Sequence, residues 1–291
     1  MRISLLLVTA FVMVQAQPPD TDVFLARLAG TAGKITMSAV ENISNSPGYD
    51  NQPSFTRDGE TVFFTSARTG QMDIYRYDTA TKSVTPVTHT PESEYSATLT
   101  PDGRHISVIR VEADKTQRLW KFPLASGEPS LVFTDVKPVG YHAWLDEHTV
   151  AMFVLGEPAT LHVGDIRTGK AEVVAKDIGR SLMPVPGGGV SFVQRAGQGS
   201  ERTMTISLLT SKTGGFSTSA LTTVAPGATE EFVAWMPDRT LLMAGGGKLY
   251  SWRQGDAAWR EVADLAAFGL RNVSRLAASP KGDRLALVAA R

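Results

Sequence analysis

The chain of 291 residues has no cysteine, which excludes disulfides, thiolate metal sites, a cysteine nucleophile and a lipid-modified Cys. It also has no surplus of one charge. Lys and Arg number 29 against 29 Asp and Glu, with no basic run, so a phosphate-binding surface for nucleic acid is not expected. Past the first residues no apolar stretch approaches the roughly 18 residues a spanning helix needs. No segment sustains a 3.6-residue apolar period with caps, so helices are not expected to carry the fold. The stretch "VADLAAFGLRNV" (262–273) could form a helical turn, but its place between repeats argues for a loop.

Motifs that mark common chemistries are missing too. A nucleophile elbow needs Gly-x-Ser-x-Gly, and "GQGSE" around Ser200 lacks the final Gly. The triple glycines at 187–189 and 245–247 are not followed by the Lys-Ser/Thr or helix of a phosphate loop and read as hairpin turns. His89, His105, His142, His148 and His162 are scattered without metal-ligand spacing. No cofactor and no metal ion is therefore expected. Asn-x-Ser/Thr matches at Asn42 and Asn272 carry no information.

What is present begins with "MRISLLLVTAFVMVQAQPP": one positive charge at Arg2, an apolar run over 3–14, and small residues ending at Ala16. This is the layout of a secretory signal peptide, residues 1–16, cleaved near Ala16. It predicts a periplasmic or secreted location, with no membrane insertion after cleavage.

The mature part repeats itself. "PSFTRDGETVFFTS" (53–66) returns as "ATLTPDGRHISVIR" (97–110), with Asp58-Gly59 and Asp102-Gly103 at the same place. Asp-Gly supplies the positive-φ turn of a tight hairpin, and a period of 40–50 residues marks propeller blades. After each turn the order is strand, loop, strand, turn, strand. A third unit runs from "AWLDEHTVAMFVL" to "AEVVA", a blurred fourth from "PVPGGGVSFVQR" to "FSTSALTTV", and a fifth from "VAWMPDRTLLMAG" to "WREVADL". The sixth, "RLAASPKGDRLALVAA", has two strands only. "TDVFLARLAG" and "ITMSAVENIS" near the N-terminus supply two more. The expectation is an all-β, six-bladed β-propeller of four-stranded blades over residues 17–291, closed by N-terminal strands pairing with the C-terminal ones, and monomeric.

The repeat "PSFTRDGETVFFTSARTGQMDIYRYD" resembles that of TolB-like propellers through Phe55, Asp58, Gly59, Phe63, Ser66, Gly70, Asp73, Ile74 and Tyr75. Other copies match through Pro101-Asp102-Gly103, through Trp235, Pro237 and Asp238, and through Ser279-Pro280 and Gly282. The resemblance implies a propeller alone, without the N-terminal domain that TolB carries. Repeat closure without an added catalytic domain, together with the signal-peptide layout, points to an exported, non-enzymatic binding or scaffold module for a protein, peptide or cell-envelope glycan. Some related propellers bind a metal through channel-facing histidines, so a metal-assisted polysaccharide lyase or hydrolase stays open as the alternative.

Segments joining one blade to the next crowd around one mouth of a propeller's channel, and loops on a rigid scaffold carry function. Aligning them nominates Tyr49, Asp50, Asn51, Glu94, Tyr95, Tyr141, His142, Arg180, Glu230, Glu231 and Arg271 as a binding face. A solvated rim of mutually neutralising charges would read the same way.

Overall fold

The computed structural model describes residues 18–31 and 34–291. The stretch read as a signal peptide lies outside the described residues.

The strands fall into six four-stranded antiparallel sheets. After β1 (Thr21–Ala29) and β2 (Thr36–Asn42), the first blade comprises β3 (Asp50–Phe55), β4 (Thr61–Ser66), β5 (Asp73–Asp78) and β6 (Val84–Pro86). The second has β7 (Ser93–Leu99), β8 (His105–Val111), β9 (Gln117–Pro123) and β10 (Ser130–Leu131). The third has β11 (Val139–Trp144), β12 (Thr149–Val154), β13 (Thr160–Asp165) and β14 (Lys170–Lys176). The fourth has β15 (Ile178–Pro184), β16 (Val190–Ala196), β17 (Thr203–Lys212) and β18 (Gly215–Thr223). The fifth has β19 (Val233–Trp235), β20 (Leu241–Gly245), β21 (Lys248–Trp252) and β22 (Arg260–Asp264).

The sixth blade is built from both ends of the chain. Its order is β2-β1-β24-β23, with β23 at Arg271–Ala278 and β24 at Arg284–Ala290. β1 pairs with β24 without interruption from Thr21↔Ala290 to Arg27↔Arg284. This closes the ring as the repeat pattern predicts and leaves no long sheet edge at the seam. The stretch near 262–273 holds the end of β22, a single 3-10 turn at Ala266–Phe268 and the start of β23, so more of it is strand than its sequence suggests.

Alternating apolar residues on both faces of each blade explain the core, because a blade is covered on both sides. Among the described residues six hydrophobic clusters fill the six blade interfaces. Phe64 sits with Val23 and Val288 between the sixth and first blades, while Leu242 and Leu249 meet Leu276 and Leu285 between the fifth and sixth. The Asp-Gly turns close the hairpins as expected: Gly59 and Gly103 have φ of 71° and 69°, and Arg239 holds the same left-handed geometry at 65°. Asp58 and Asp102 accept backbone N–H bonds within their own turns, from Glu60 at 3.0 Å and Arg104 at 2.9 Å.

Candidate functional site

The innermost strands of the blades surround a central cavity of about 520 Å³, a size suited to small ligands or a few residues of a peptide. All six contribute. Gln52, Ser96, Tyr141, Arg180, Phe232 and Arg275 line its end nearest the blade-joining segments. Phe55, Pro186, Pro237 and Pro280 line the end nearest the Asp-Gly turns.

Of the residues nominated from the sequence, Tyr141, His142 and Arg180 line this cavity, and Tyr49, Asp50, Asn51, Glu94, Tyr95, Glu230, Glu231 and Arg271 are not among its lining residues. The joining segments are also less loop-like than expected. Asp50 and Asn51 belong to β3, Glu94 and Tyr95 to β7, Tyr141 and His142 to β11, Arg180 to β15 and Arg271 to β23. Irregular register at this point in five of the innermost strands hides them from a search for alternation.

Three of the acids are buried, not solvated. Asp50, Glu94 and Glu231 are 1%, 0% and 5% exposed. Each faces an arginine: Arg68, just after β4, lies 3.6 Å from Asp50; Arg110 on β8 lies 3.7 Å from Glu94; and Arg195 on β16 of the fourth blade pairs with Glu231. Glu231 also accepts the Arg180 backbone N–H at 2.9 Å. The carboxylate lies so close under β15 that a Cβ at Gly179 would stand 2.7 Å from it. Although burial opposes ionisation, Arg195 and the Arg180 N–H outweigh it and hold the Glu231 carboxyl below its usual range. Glu230 pairs with Arg180 at 3.0 Å. Glu230, Glu231, Arg180 and Arg195 therefore lock the fourth blade to the fifth.

Glu94 goes the other way. Burial pushes its carboxyl up to about 7, against hydrogen bonds from Thr90 and Thr88 and the charge of Arg110. Arg110 is a weak counter-ion because its guanidinium also pairs with Glu92, and Glu94 Oε2 has no partner among the described residues. A carboxyl raised in the native state makes folding more favourable below its native pKa, and that advantage disappears as pH rises from about 4.5 to 7. Glu94→Gln should thus gain on the wild type by up to about 3 kcal/mol between pH 4 and pH 8. Urea unfolding at the two pH values measures it, and a gap independent of pH would refute the raised pKa. The comparison cancels the opposite slope from His142, whose burial lowers its pKa to about 3.

His142 invites a catalytic reading, since its Nε2 is 2.6 Å from Ser107 Oγ. Ser107 is fully buried, however, and accepts the Trp144 indole N–H at 2.9 Å. Trp235 donates to Ser191 Oγ in the same way at 2.8 Å, two blades further on. The serine is a strut between blades, and an imidazole with a pKa near 3 is poorly matched to base catalysis at neutral pH. Among the described residues no three His, Asp or Glu side chains gather so as to hold a metal ion.

Residues absent from the sequence-derived set dominate the mouth. The Arg275 guanidinium lies 3.7 Å from the Phe232 ring centroid and 4.9 Å from that of Tyr141, and donates to Tyr141 Oη at 2.8 Å. Tyr141 packs edge-on against Phe232 at 6.0 Å. Tyr49 stands behind them, its hydroxyl pushed up to about 12 by desolvation despite nearby Arg275 and Arg180. A positional signal existed: Gln52, Ser96, Phe232 and Arg275 each stand seven residues before the positive-φ turn residue, namely Gly59, Gly103, Arg239 and Gly282.

Residues 10–137 match the family model of the TolB beta propeller domain. No curated protein matches the sequence. The fold is similar to a candidate TolB from Agrobacterium tumefaciens, with a TM-score of 0.69 at 16% identity over 93% of this chain and 98% of that one. It is similar to TolB from Acinetobacter baumannii, with a TM-score of 0.61 at 13% identity over 93% of this chain, which spans 64% of that protein's length. An oligogalacturonate lyase in complex with manganese is similar with a TM-score of 0.54 at 16% identity, over 92% of this chain and 78% of that one. At such identities the likeness concerns the fold.

Proposed function

We propose that this six-bladed β-propeller, similar in fold to TolB, is a non-catalytic binding module whose ligand enters the central channel. The observation that carries this reading is the mouth itself: an open cavity lined by all six blades, with an aromatic and arginine cluster of the composition that binding hot spots favour. The N-terminal charge and apolar run support export, and with export the ligand would be a protein, peptide or glycan of the cell envelope.

The metal-assisted lyase or hydrolase reading has less support, because among the described residues His142 is the one histidine lining the channel and its Nε2 is engaged by Ser107. Stoichiometric manganese, zinc or calcium in purified protein would favour it.

Photo-crosslinking in intact cells tests the binding reading. p-Benzoylphenylalanine in place of Phe232 should give discrete adducts, and the same group in place of Val173, which is 49% exposed on β14, should give none. Adding Ala278→Trp, which fills the channel, should abolish the adducts with little change in the thermal midpoint. Equal adducts from both positions, or none from Phe232, would remove the channel from consideration.

A further inference from the structure

We propose that the channel takes a peptide carboxylate, held at the mouth by Arg275, with the adjoining apolar residues of the peptide seated on the channel wall. This rests on the channel-binding reading and names its ligand class.

Charge comes first. Among the described residues two arginines and no acidic residue line the cavity. Arg180 is already neutralised by Glu230 at 3.0 Å. Arg275 has no carboxylate partner among the described residues; its one side-chain hydrogen bond goes to Tyr141 Oη. A guanidinium has five N–H donors in a rigid fork, and here its Cζ lies over the Phe232 ring and close to the Tyr141 ring. The ring contacts and the Tyr141 bond hold the group in place without using its remaining donors, which leaves them for the two oxygens of a carboxylate. Arg275 is half-buried, so the attraction is stronger than at an open surface.

The wall then chooses among carboxylates. The wall is mostly apolar, with Pro53, Met183, Trp235 and Pro237 among its residues, although Ser54, Thr98 and Ser279 also line it. A sugar chain would bring more hydroxyls than these few can partner, each unmade hydrogen bond costing about 1–3 kcal/mol. Apolar side chains would instead gain by burial. A single fork also suits a planar carboxylate better than a phosphate, which is usually met by several donors or a helix terminus.

An affinity selection tests the proposal. Immobilised wild-type protein and the Arg275→Gln, Arg275→Lys and Ala278→Trp variants are each offered random hexapeptides as free acids, the same peptides as C-terminal amides, and a uronate trisaccharide. Wild-type protein should retain carboxylate-bearing peptides enriched in apolar residues. Free acids lacking Asp and Glu identify the C-terminal carboxylate as the source, and amides retained only when they contain Asp or Glu identify a side chain. Arg275→Gln should reduce retention at least about tenfold, the loss of a charged hydrogen-bonding partner, with Arg275→Lys between the two. Retention that ignores carboxylates, or survives Arg275→Gln but not Ala278→Trp, overturns the carboxylate while leaving channel binding in place. Retention of the trisaccharide in place of peptides overturns the peptide. No retention by wild-type protein, or retention that Ala278→Trp leaves intact, overturns both. Thermal midpoints of the variants separate lost binding from lost folding.

Discussion

A chain ending at Asp283 should not give a stable monomer. The missing β24 carries Leu285, Leu287 and Val288, all fully buried, and burial of each such side chain stabilises by about 1.5–3 kcal/mol. Three residues thus approach the roughly 5–15 kcal/mol that holds a whole domain together. The loss is compounded because β24 lies between β1 and β23, so both neighbours lose their ladders and expose unpaired edges. Size-exclusion chromatography and denaturant unfolding should show aggregation or a non-cooperative transition. Wild-type cooperativity in the shortened chain would mean that this pairing does not close the ring.

Arg195→Met should cost about 3–5 kcal/mol at neutral pH, the usual effect of stripping a buried carboxylate of its partner. Glu231 stays under β15 with the Arg180 N–H as its remaining donor. The wild-type carboxyl is lowered, so its contribution is complete above its unfolded pKa near 4.5 and is lost as pH falls through the native value. In the variant burial dominates and the native pKa rises above 4.5, so stability should fall as pH climbs from there. Urea midpoints at pH 4 and pH 8 would show the deficit shrinking in acid; an equal deficit at both would assign the effect to lost packing.

The blades were legible because turn chemistry is local. An Asp whose carboxylate caps its own turn, followed by a left-handed glycine, leaves the same trace at 58–59 and 102–103. The closing pair was legible by counting strands. The site was harder to read, since its strands begin with irregular residues: Gln52 and Ser96 sit at φ of 59° and 55°, and neither they nor Pro53 announces a strand. Charge misled for a related reason. Asp50, Glu94 and Glu231 look like rim residues until Arg68, Arg110 and Arg195, which stand 18, 16 and 36 residues from them in the chain, are folded against them. Arg275 and Phe232 were hidden because their pairing joins the fifth and sixth blades, and only the distance to the turn residue marks them as equivalent.

The seam between β1 and β24 has a consequence for how the ring responds to force. Because the strands are antiparallel, residues 20 and 291 emerge at the same end, with the Arg291 backbone N–H donating to the Asp20 carbonyl at 3.3 Å. A pull that separates these two points loads Thr21↔Ala290 first and Arg27↔Arg284 last, opening the ladder one pair at a time instead of shearing every bond together. The same clasp that is thermodynamically indispensable is mechanically a zip, and a tether attached at that corner could open the channel from its side at modest force.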